Sequence, residues 1–250
     1  MSGRLGDFTG QAGAYARSRP GYPRDLVDRL IAGAGVRRGD AIAEIGAGTG
    51  LFTEALGGRG LVVTALEPND AMRAEAPELP GVSWRPGTFE TTGLGDASQR
   101  WAVAAQAFHW ADPAKALPEL RRVLVPGGRF TVLWNDRLNE RSPVLMRTEE
   151  AIRRWAPGYD EAYRGLDWSE VLVTTGDFEA VTTDEAEHVV PMSRDRYVGL
   201  WRSHNRLSVA AGPERYAGLL REIEAYLEGE GIERVDVPFV CRAWTARAVR

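Results

Sequence analysis

The segment that most constrains the fold is residues 41–56, AIAEIGAGTGLFTEAL. A short apolar run, interrupted by Glu44, leads into a glycine-rich turn at residues 46–50, and a segment with helical character follows from Leu51. In α/β proteins a strand that ends in such a turn and opens a helix binds ligands, because glycines let the backbone approach and the first helical N–H groups are unpaired. The segment therefore predicts a ligand site at the end of the first strand.

Strands and helices alternate through the first 135 residues, which predicts a parallel sheet with helices on both faces. Apolar periodicity and turn residues give helices at 23–34, 51–56 and 113–124, a short helix from residue 70, and strands at 41–45, 61–66, 82–85, 101–107 and 129–134. The second half gives helices at 143–155, 193–200 and 215–227, a strand pair at 178–190 and a last strand at 237–249. The predicted fold class is α/β: a Rossmann-like, doubly wound, mostly parallel sheet of about seven strands with helices on both faces and a partly helical C-terminal insertion or lid.

The chain divides into four regions. Residues 1–23, rich in Gly, Arg and Pro, form a loose arm whose aromatic residues favour a position over a pocket rather than a flexible terminus. Residues 24–138 form the binding core. Residues 139–235 form lid or insertion helices with late core elements, and residues 236–250 form the final strand of the sheet.

Composition narrows the functional classes. The chain has 250 residues, of which 44% are hydrophobic and 26% charged, as in soluble globular proteins, and its net charge of −4 argues against a polyanion partner. Cys241 is the sole cysteine, so no intrachain disulfide can form, and the three histidines lack metal-ligand spacing. Without an apolar leader or a run of membrane-spanning length, we expect a cytoplasmic protein with no membrane or nucleic-acid partner and no metal.

The unusual residue clusters fall at the carboxyl ends of the predicted strands. They are the glycine turn at 46–50, Glu67, residues 87–90, His109 with Trp110, and Asn135. Ligands of open α/β sheets bind beyond these strand ends, so the clusters are expected to surround one site.

The spacing of the glycine turn excludes the dinucleotide fingerprint, since the third residue beyond Gly48 is Leu51 rather than Gly or Ala. The run Glu44-Ile-Gly-Ala-Gly-Thr-Gly50 instead resembles motif I of the class I S-adenosylmethionine-dependent methyltransferases. Glu67-Pro68, GTFE at residues 87–90 and LRRVLVPGGRF at residues 120–130 agree with that family. The resemblance covers most of residues 8–135.

A narrower resemblance rests on two further segments, AQAFHWADP at residues 105–113 and YARSRPGYP at residues 15–23. Together they are similar to small-molecule methyltransferases related to the trans-aconitate methyltransferases, which esterify carboxylates of small acids. The second half resembles that group only loosely, so the identity of the substrate does not carry over.

The resemblance implies S-adenosyl-L-methionine as cofactor. The glycine loop would approach its methionine part, Glu44 would lie within reach of its ammonium group, and Glu67 would accept both ribose hydroxyls. Met72 would flank the adenine and Thr88 and Phe89 would line its slot, although ordinary core packing is an alternative for Phe89. The cofactor-binding residues are expected to be Tyr15, Arg19, Glu44, Gly46, Ala47, Gly48, Thr49, Gly50, Glu67, Pro68, Met72, Thr88, Phe89, Gln106 and Ala107.

The acceptor pocket is expected over His109, built by the arm and the second half. A carboxylate acceptor needs no base, whereas a phenol or alcohol would need one, and His109 is the histidine at the active end of the sheet. His109 is therefore the catalytic candidate, with a structural role at the strand end as the alternative. Expected acceptor-binding residues are Tyr22, His109, Trp110, Trp134, Asn135 and Trp201, with Tyr15, Arg19, Arg137, Arg202 and His204 as further candidates. Trp110 is favoured as a pocket wall, and Trp201 could instead be a core residue of its helix.

The sequence thus predicts a methyltransferase that acts on a small-molecule acceptor, as a monomer or weak homodimer, by O-methylation of a carboxylate or hydroxyl through in-line methyl transfer. N- or C-methylation on the same scaffold stays open, as does a cofactor-binding enzyme or regulator that transfers no methyl group. A nucleic-acid methyltransferase is disfavoured because His109-Trp110 stands where an NPPY-type strand end would be.

Overall fold

The computed structural model describes residues 10–159 and 166–249, so residues 1–9 of the expected arm lie outside the described residues. Within them, the strands are β1 (Ala41–Ile45), β2 (Val62–Leu66), β3 (Val82–Arg85), β4 (Gln99–Ala105), β5 (Leu124–Arg137), β6 (Phe178–Ser193) and β7 (Arg234–Ala248). They form one sheet in the order β3-β2-β1-β4-β5-β7-β6. The first five strands pair in parallel, and β7 lies antiparallel between β5 and β6. The predicted seven-stranded, mostly parallel α/β fold is confirmed.

Ten α-helices occur in the same residues, together with 3₁₀ turns at Phe108–Trp110 and Asn139–Arg141. The helices are α1 (Ala12–Ser18), α2 (Arg24–Gly33), α3 (Leu51–Leu56), α4 (Asp70–Ala74), α5 (Pro113–Val123), α6 (Pro143–Trp155), α7 (Trp168–Val173), α8 (Arg194–Arg202), α9 (Asn205–Ala211) and α10 (Pro213–Gly229). None of these helices is both long and apolar enough to cross a membrane.

Helices cover both faces of the sheet because the central strands are apolar on both sides, as buried parallel strands usually are. On one face, Ile42 and Trp101 pack against α2 and α3 through residues such as Leu30 and Phe52. On the other face, the strands pack against α5 and α7. A third cluster, made by α6, α8, α9 and α10 with parts of β6 and β7, forms a helical layer beside the sheet. We call it the helical cluster.

The expected arm contains a helix, so the prediction of a loose segment is wrong for Ala12–Ser18. This helix lies against α8 at very short range. A Cβ built on Gly199 would fall 2.2 Å from Ser18 Oγ, so the contact requires glycine at that position. Arg19 then donates from Nε to Ser203 Oγ at 3.0 Å, which holds the arm on the helical cluster.

Residues 178–190 form part of one long strand rather than the expected strand pair. No Gly or Pro interrupts β6 before Pro191, and it pairs with β7 over nearly its whole length. The register shifts between Glu179 and Thr182, where Ala180 has a φ of 50°, so a bulge bends the strand without turning it back. Helices α7 and α9, which are six and seven residues long, were missed from the sequence.

A buried chain of hydrogen bonds joins three central strands. Trp101 Nε1 donates to Thr131 Oγ1 at 2.8 Å, and the Thr131 and Thr245 hydroxyl oxygens are 2.8 Å apart. All three residues are buried, so each polar group depends on the others for a partner.

Replacing Thr131 by Val should lower the free energy of unfolding by roughly 2–3 kcal/mol, because it removes the acceptor of a buried indole N–H and a partner of Thr245. Thr131→Ser keeps the hydroxyl and should cost about 1 kcal/mol. Urea unfolding of both variants tests this. Equal losses would contradict a polar role for residue 131.

Candidate functional site

A cleft of about 330 Å³ opens at the carboxyl ends of the central parallel strands. It brings together most of the residues that the sequence singled out. Those that line it are Tyr15, Tyr22, Glu44, Gly46, Ala47, Gly48, Thr49, Glu67, Pro68, Met72, Thr88, Phe89, Gln106, Ala107 and Trp110. Gly87 and Glu90, from the predicted cluster at residues 87–90, also line it, together with Ile45, Leu51, Phe52 and Ala105, which sequence reasoning missed. These four lie within two residues of a chosen residue or of the glycine turn, so adjacency was the available signal.

The loop after β1 is shaped by how closely it approaches the neighbouring strands. Gly46 has a φ of 70°, and a Cβ there would lie 2.5 Å from the Cβ of Ala107. The N–H groups of Gly46 and Ala47 both donate to the carbonyl of Leu66, at 2.8 and 3.0 Å. The loop therefore joins the ends of β1, β2 and β4, and only glycine fits at position 46.

Glu44 is a buried acid at the base of the cleft, 1% exposed. Thr53 Oγ1 donates to it at 2.7 Å. Burial raises the pKa of Glu44 to about 8, the Thr53 hydrogen bond opposes the shift, and the nearby carboxyl group of Glu67 adds to it. A cation bound close to this carboxyl group would offset the cost of its ionisation.

Glu67, at the end of β2, faces the same cleft. Its two carboxylate oxygens accept the N–H groups of Gly48 at 3.0 Å and Asn69 at 2.9 Å. Burial raises the pKa of Glu67, and these two backbone hydrogen bonds oppose the shift. Asn69 in turn caps α4 by accepting from Ala71 and Met72. Glu67 therefore links the glycine loop to the helix after β2 while it faces the cleft.

A smaller recess of about 40 Å³ adjoins the cleft. Its lining shares Tyr15, Gln106 and Trp110 with the cleft. The other lining residues are Arg19, His109, His204, Asn205 and Arg206. The His109 ring lies 4.6 Å from the Trp110 ring, and Arg206 Cζ lies 5.7 Å from the Trp110 ring centre. The arm, the end of β4 and the start of α9 thus meet in this recess.

Several predicted site residues lie outside the cleft. Arg19 and His109 line the recess instead. Gly50 precedes α3, where an added Cβ would meet Pro77 and Trp84. Asn135 is buried behind Gln106, whose Nε2 donates to the Asn135 carbonyl at 3.2 Å.

The two predicted tryptophans are core residues. Trp134 is 2% exposed and stacks on Trp168, with ring centres 4.3 Å apart, on the far face of β5. Trp201 is fully buried in the helical cluster, with Arg137 Cζ 4.4 Å from its ring centre. An acceptor-binding role for either indole is inconsistent with these positions, because neighbouring side chains already cover both rings. Of the further candidates, His204 lines the recess, whereas Arg137 and Arg202 do not.

Comparison with known proteins identifies a domain in the part of the chain that contributes most of the cleft. The methyltransferase domain family matches residues 43–132, from β1 into β5. An uncharacterized methyltransferase of Mycobacterium tuberculosis (strain ATCC 25618 / H37Rv) is 42% identical over 151 residues. Residues 43–132 therefore form a methyltransferase domain, similar to those of the class I S-adenosylmethionine-dependent methyltransferases. The mycobacterial alignment covers 59% of this chain and 59% of that relative, so the reaction is proposed below from the residues of this chain.

Two further comparisons are informative. A solved chain from Anaeromyxobacter dehalogenans, provisionally assigned as a type II methyltransferase, has a TM-score of 0.67, with 23% identity over 92% of this chain and 98% of that one. At this identity the likeness establishes the fold alone. A malonyl-[acyl-carrier protein] O-methyltransferase of Erwinia billingiae is 32% identical over 137 residues, 53% of this chain and 55% of the relative.

The residues of the cleft fit S-adenosylmethionine, the cofactor of this family. Buried Glu44 suits its ammonium group, and Glu67 offers carboxylate oxygens at the position where such folds bind ribose hydroxyls. The hydroxyl of Thr49 lines the cleft and has no hydrogen-bond partner among residues 10–159 and 166–249, so a ligand can satisfy it. Met72 and Phe89 add apolar walls. In the same residues, no group of three or more His, Cys, Asp or Glu side chains could hold a metal ion.

Glu44→Gln should remove a pH-dependent loss of stability. The wild-type carboxyl group contributes fully below pH 4.5, and its contribution is lost as the pH rises to about 8, because the folded state resists its ionisation. The gain of the variant over wild type should grow by up to about 1.4 kcal/mol per pH unit through this window. Urea unfolding at pH 5, 7 and 9 measures it, with Glu228→Gln on the exposed surface of α10 as control. Parallel pH curves for Glu44→Gln and wild type would contradict a buried, strained carboxylate.

Proposed function

We propose that this protein transfers the methyl group of S-adenosylmethionine, in line, to an oxygen of a small molecule. The oxygen belongs to a carboxylate or a hydroxyl, and a carboxylate is favoured. The observation that carries the proposal is the contrast between two connected compartments, one lined by carboxyl groups and the other by guanidinium groups. The cleft is acidic and the recess is basic, and the two share a wall.

The cleft is suited to a cationic cofactor. Its acidic lining residues are Glu44, Glu67 and Glu90, and it has no Arg, Lys or His in its described lining. When bound, S-adenosylmethionine supplies a methyl group on a positively charged sulfonium with a good leaving group. Because that group departs without protonation, the protein needs only to orient the acceptor oxygen and exclude water.

The recess is suited to an anionic acceptor. Its described lining has Arg19, Arg206 and two histidines, and it has no Asp or Glu. The guanidinium of Arg19 contacts the neutral groups of Ser203 and the ring of Tyr15, so no carboxylate in the described residues balances its charge. A planar guanidinium matches a carboxylate through two parallel hydrogen bonds. The name of the Erwinia relative, a malonyl-[acyl-carrier protein] O-methyltransferase, supports methyl transfer to oxygen.

His109 then has two possible uses. Toward a carboxylate, which is ionised at neutral pH, its imidazole orients the oxygen by a hydrogen bond. Toward a phenol or alcohol, it would act as the general base. Its place in the recess, beside Trp110 and next to the shared wall, is consistent with contact to the acceptor in either case.

N- or C-methylation, and a role without methyl transfer, are the competing functions, because the fold does not determine the acceptor atom. An amine acceptor would bring a positive charge or its precursor toward Arg19, which disfavours it. The sizes of the two cavities leave room for a cofactor and a small acceptor, and from this we infer a small-molecule partner.

Calorimetry should detect binding of S-adenosylmethionine and of its demethylated product to the wild-type protein. Glu67→Gln should weaken that binding about tenfold or more, because one carboxylate oxygen that can accept a ribose hydroxyl becomes an amide donor. Glu228→Gln, exposed on α10, should bind like wild type. Absence of binding heat for the wild-type protein would sink the proposal.

Incubation with methyl-labelled cofactor and a panel of small mono- and dicarboxylic acids, phenols, alcohols and amines should label the acids, and alkali should release the label as methanol. Arg19→Gln should raise the acceptor KM about tenfold and weaken cofactor binding by a smaller factor, because Arg19 also holds the arm on Ser203. Arg19→Lys should keep part of the effect on the acceptor, because it keeps the charge. Arg153→Gln, an exposed change on α6, is the matched control. Alkali-stable label would overturn the carboxylate assignment, and silence across the panel would favour the function without transfer.

A further inference from the structure

Asn135 occupies an unusual position between the cleft and the arm. It lies near the C-terminal end of β5 and is 8% exposed. Its side-chain Nδ2 donates to the carbonyl of Gly21 in the arm at 3.0 Å, and its backbone carbonyl accepts Nε2 of Gln106 at 3.2 Å. Three segments that are distant in sequence are therefore joined at this one residue.

Gln106 is the second member of this connection. It follows β4 with a φ of 57°, in the left-handed region that non-glycine residues rarely adopt. Its N–H donates to the carbonyl of Leu133 at 2.9 Å, and its side chain donates to Asn135, so β5 holds it through both groups. Such a conformation persists when its surroundings fix it. Gln106 lines both the cleft and the recess.

Gly21 is the third member, at the point where the arm reaches the sheet. The next residue, Tyr22, lines the cleft, and its ring meets Phe52 edge-on with centres 5.0 Å apart. Earlier in the arm, Tyr15 lines both cavities. The position of Gly21 therefore determines where the two arm tyrosines stand.

The arm is also tied to the helical cluster, through Arg19 to Ser203 and through Arg196 Nη2, which donates to the Arg19 carbonyl at 3.2 Å. These contacts hold the segment before Gly21. Asn135 holds the segment from the sheet side, so the arm spans the recess between two anchors.

The side-chain amide of Asn135 is suited to binding the arm. The arm offers a carbonyl, so the side chain must supply a donor. The Oδ1 atom is buried and has no hydrogen-bond partner within the described parts of the chain. The Nδ2 donor is therefore the part of the amide that forms a hydrogen bond. An aspartate, which has the same shape, would place an oxygen against the Gly21 carbonyl.

We propose that Asn135 is a positioning residue that fastens the arm to Gln106, so that the cleft and the recess are completed together. Without it, Tyr15 and Tyr22 lose their fixed place beside the residues at the end of β4. The effect on ligand binding rests on the proposed function, whereas the effect on the arm does not.

The test is Asn135→Asp, compared with wild type by hydrogen–deuterium exchange with no cofactor present. Arm amides in residues 11–22 should exchange about tenfold faster or more, while those of β4 and β5 stay protected. Binding of S-adenosylmethionine, and the KM of the acceptor, should weaken about fivefold or more, with a smaller change in kcat.

Thr131→Val is the matched control, because it removes buried hydrogen bonds from the same strand without touching the arm. It should lower global stability and leave the relative exchange of residues 11–22 unchanged. Wild-type arm exchange in Asn135→Asp, or faster exchange throughout the sheet, would overturn the proposal. If Asn135→Asp showed faster arm exchange but the wild-type protein bound no S-adenosylmethionine, Asn135 would still be the anchor of the arm. Only the proposed function would then be wrong.

Discussion

The loop after β1 can follow its course only because residue 46 has no side chain. A methyl group there would lie 2.5 Å from that of Ala107, so the ends of β1 and β4 could not stay together. The same loop donates two N–H groups to Leu66 at the end of β2. This three-way approach turns Glu44 and Glu67 toward one space, and it places Gln106 where that space meets the recess. The cofactor chemistry of the molecule depends on this single close contact.

The two compartments are built by different parts of the chain. The acidic cleft comes almost entirely from the loops after the first parallel strands, with two tyrosines from the arm. The basic recess draws on the arm and on α9 of the helical cluster. Because loops and appended helices change more readily than the scaffold that positions them, the lining of the recess can change while that of the cleft stays the same. The shared wall of Tyr15, Gln106 and Trp110 belongs to both compartments, so a change there would alter the cleft and the recess together.

Sequence reasoning predicted most of the residues that line the cleft, because its signals are local. Glu44, the glycine turn and Glu67 have a fixed spacing that parallel strands convert into proximity. The acceptor side depends on packing between distant segments, which no spacing encodes. Trp134 and Trp201 were chosen as large aromatics, yet both fill cores, while Asn205 and Arg206 were missed with the short helix α9. Strand β6 was predicted as two strands because polar residues separate Val181 from Val189, whereas the strand continues through them at the border of the sheet.

The long strand β6 forms one border of the sheet, so half of its backbone groups face outward. Such borders recruit further strands unless something prevents it. Here the bulge bends the strand, and the carboxylates of Glu179, Asp184, Glu185 and Glu187 each pair with an arginine, so the strand carries a row of ion pairs. From α2, Arg29 reaches across to Asp184 and to the carbonyl of Glu185. A second such border could pair with this one only by displacing these ion pairs and straightening the bulge, so the edge opposes the joining of copies into a continuous sheet and aggregation by that route.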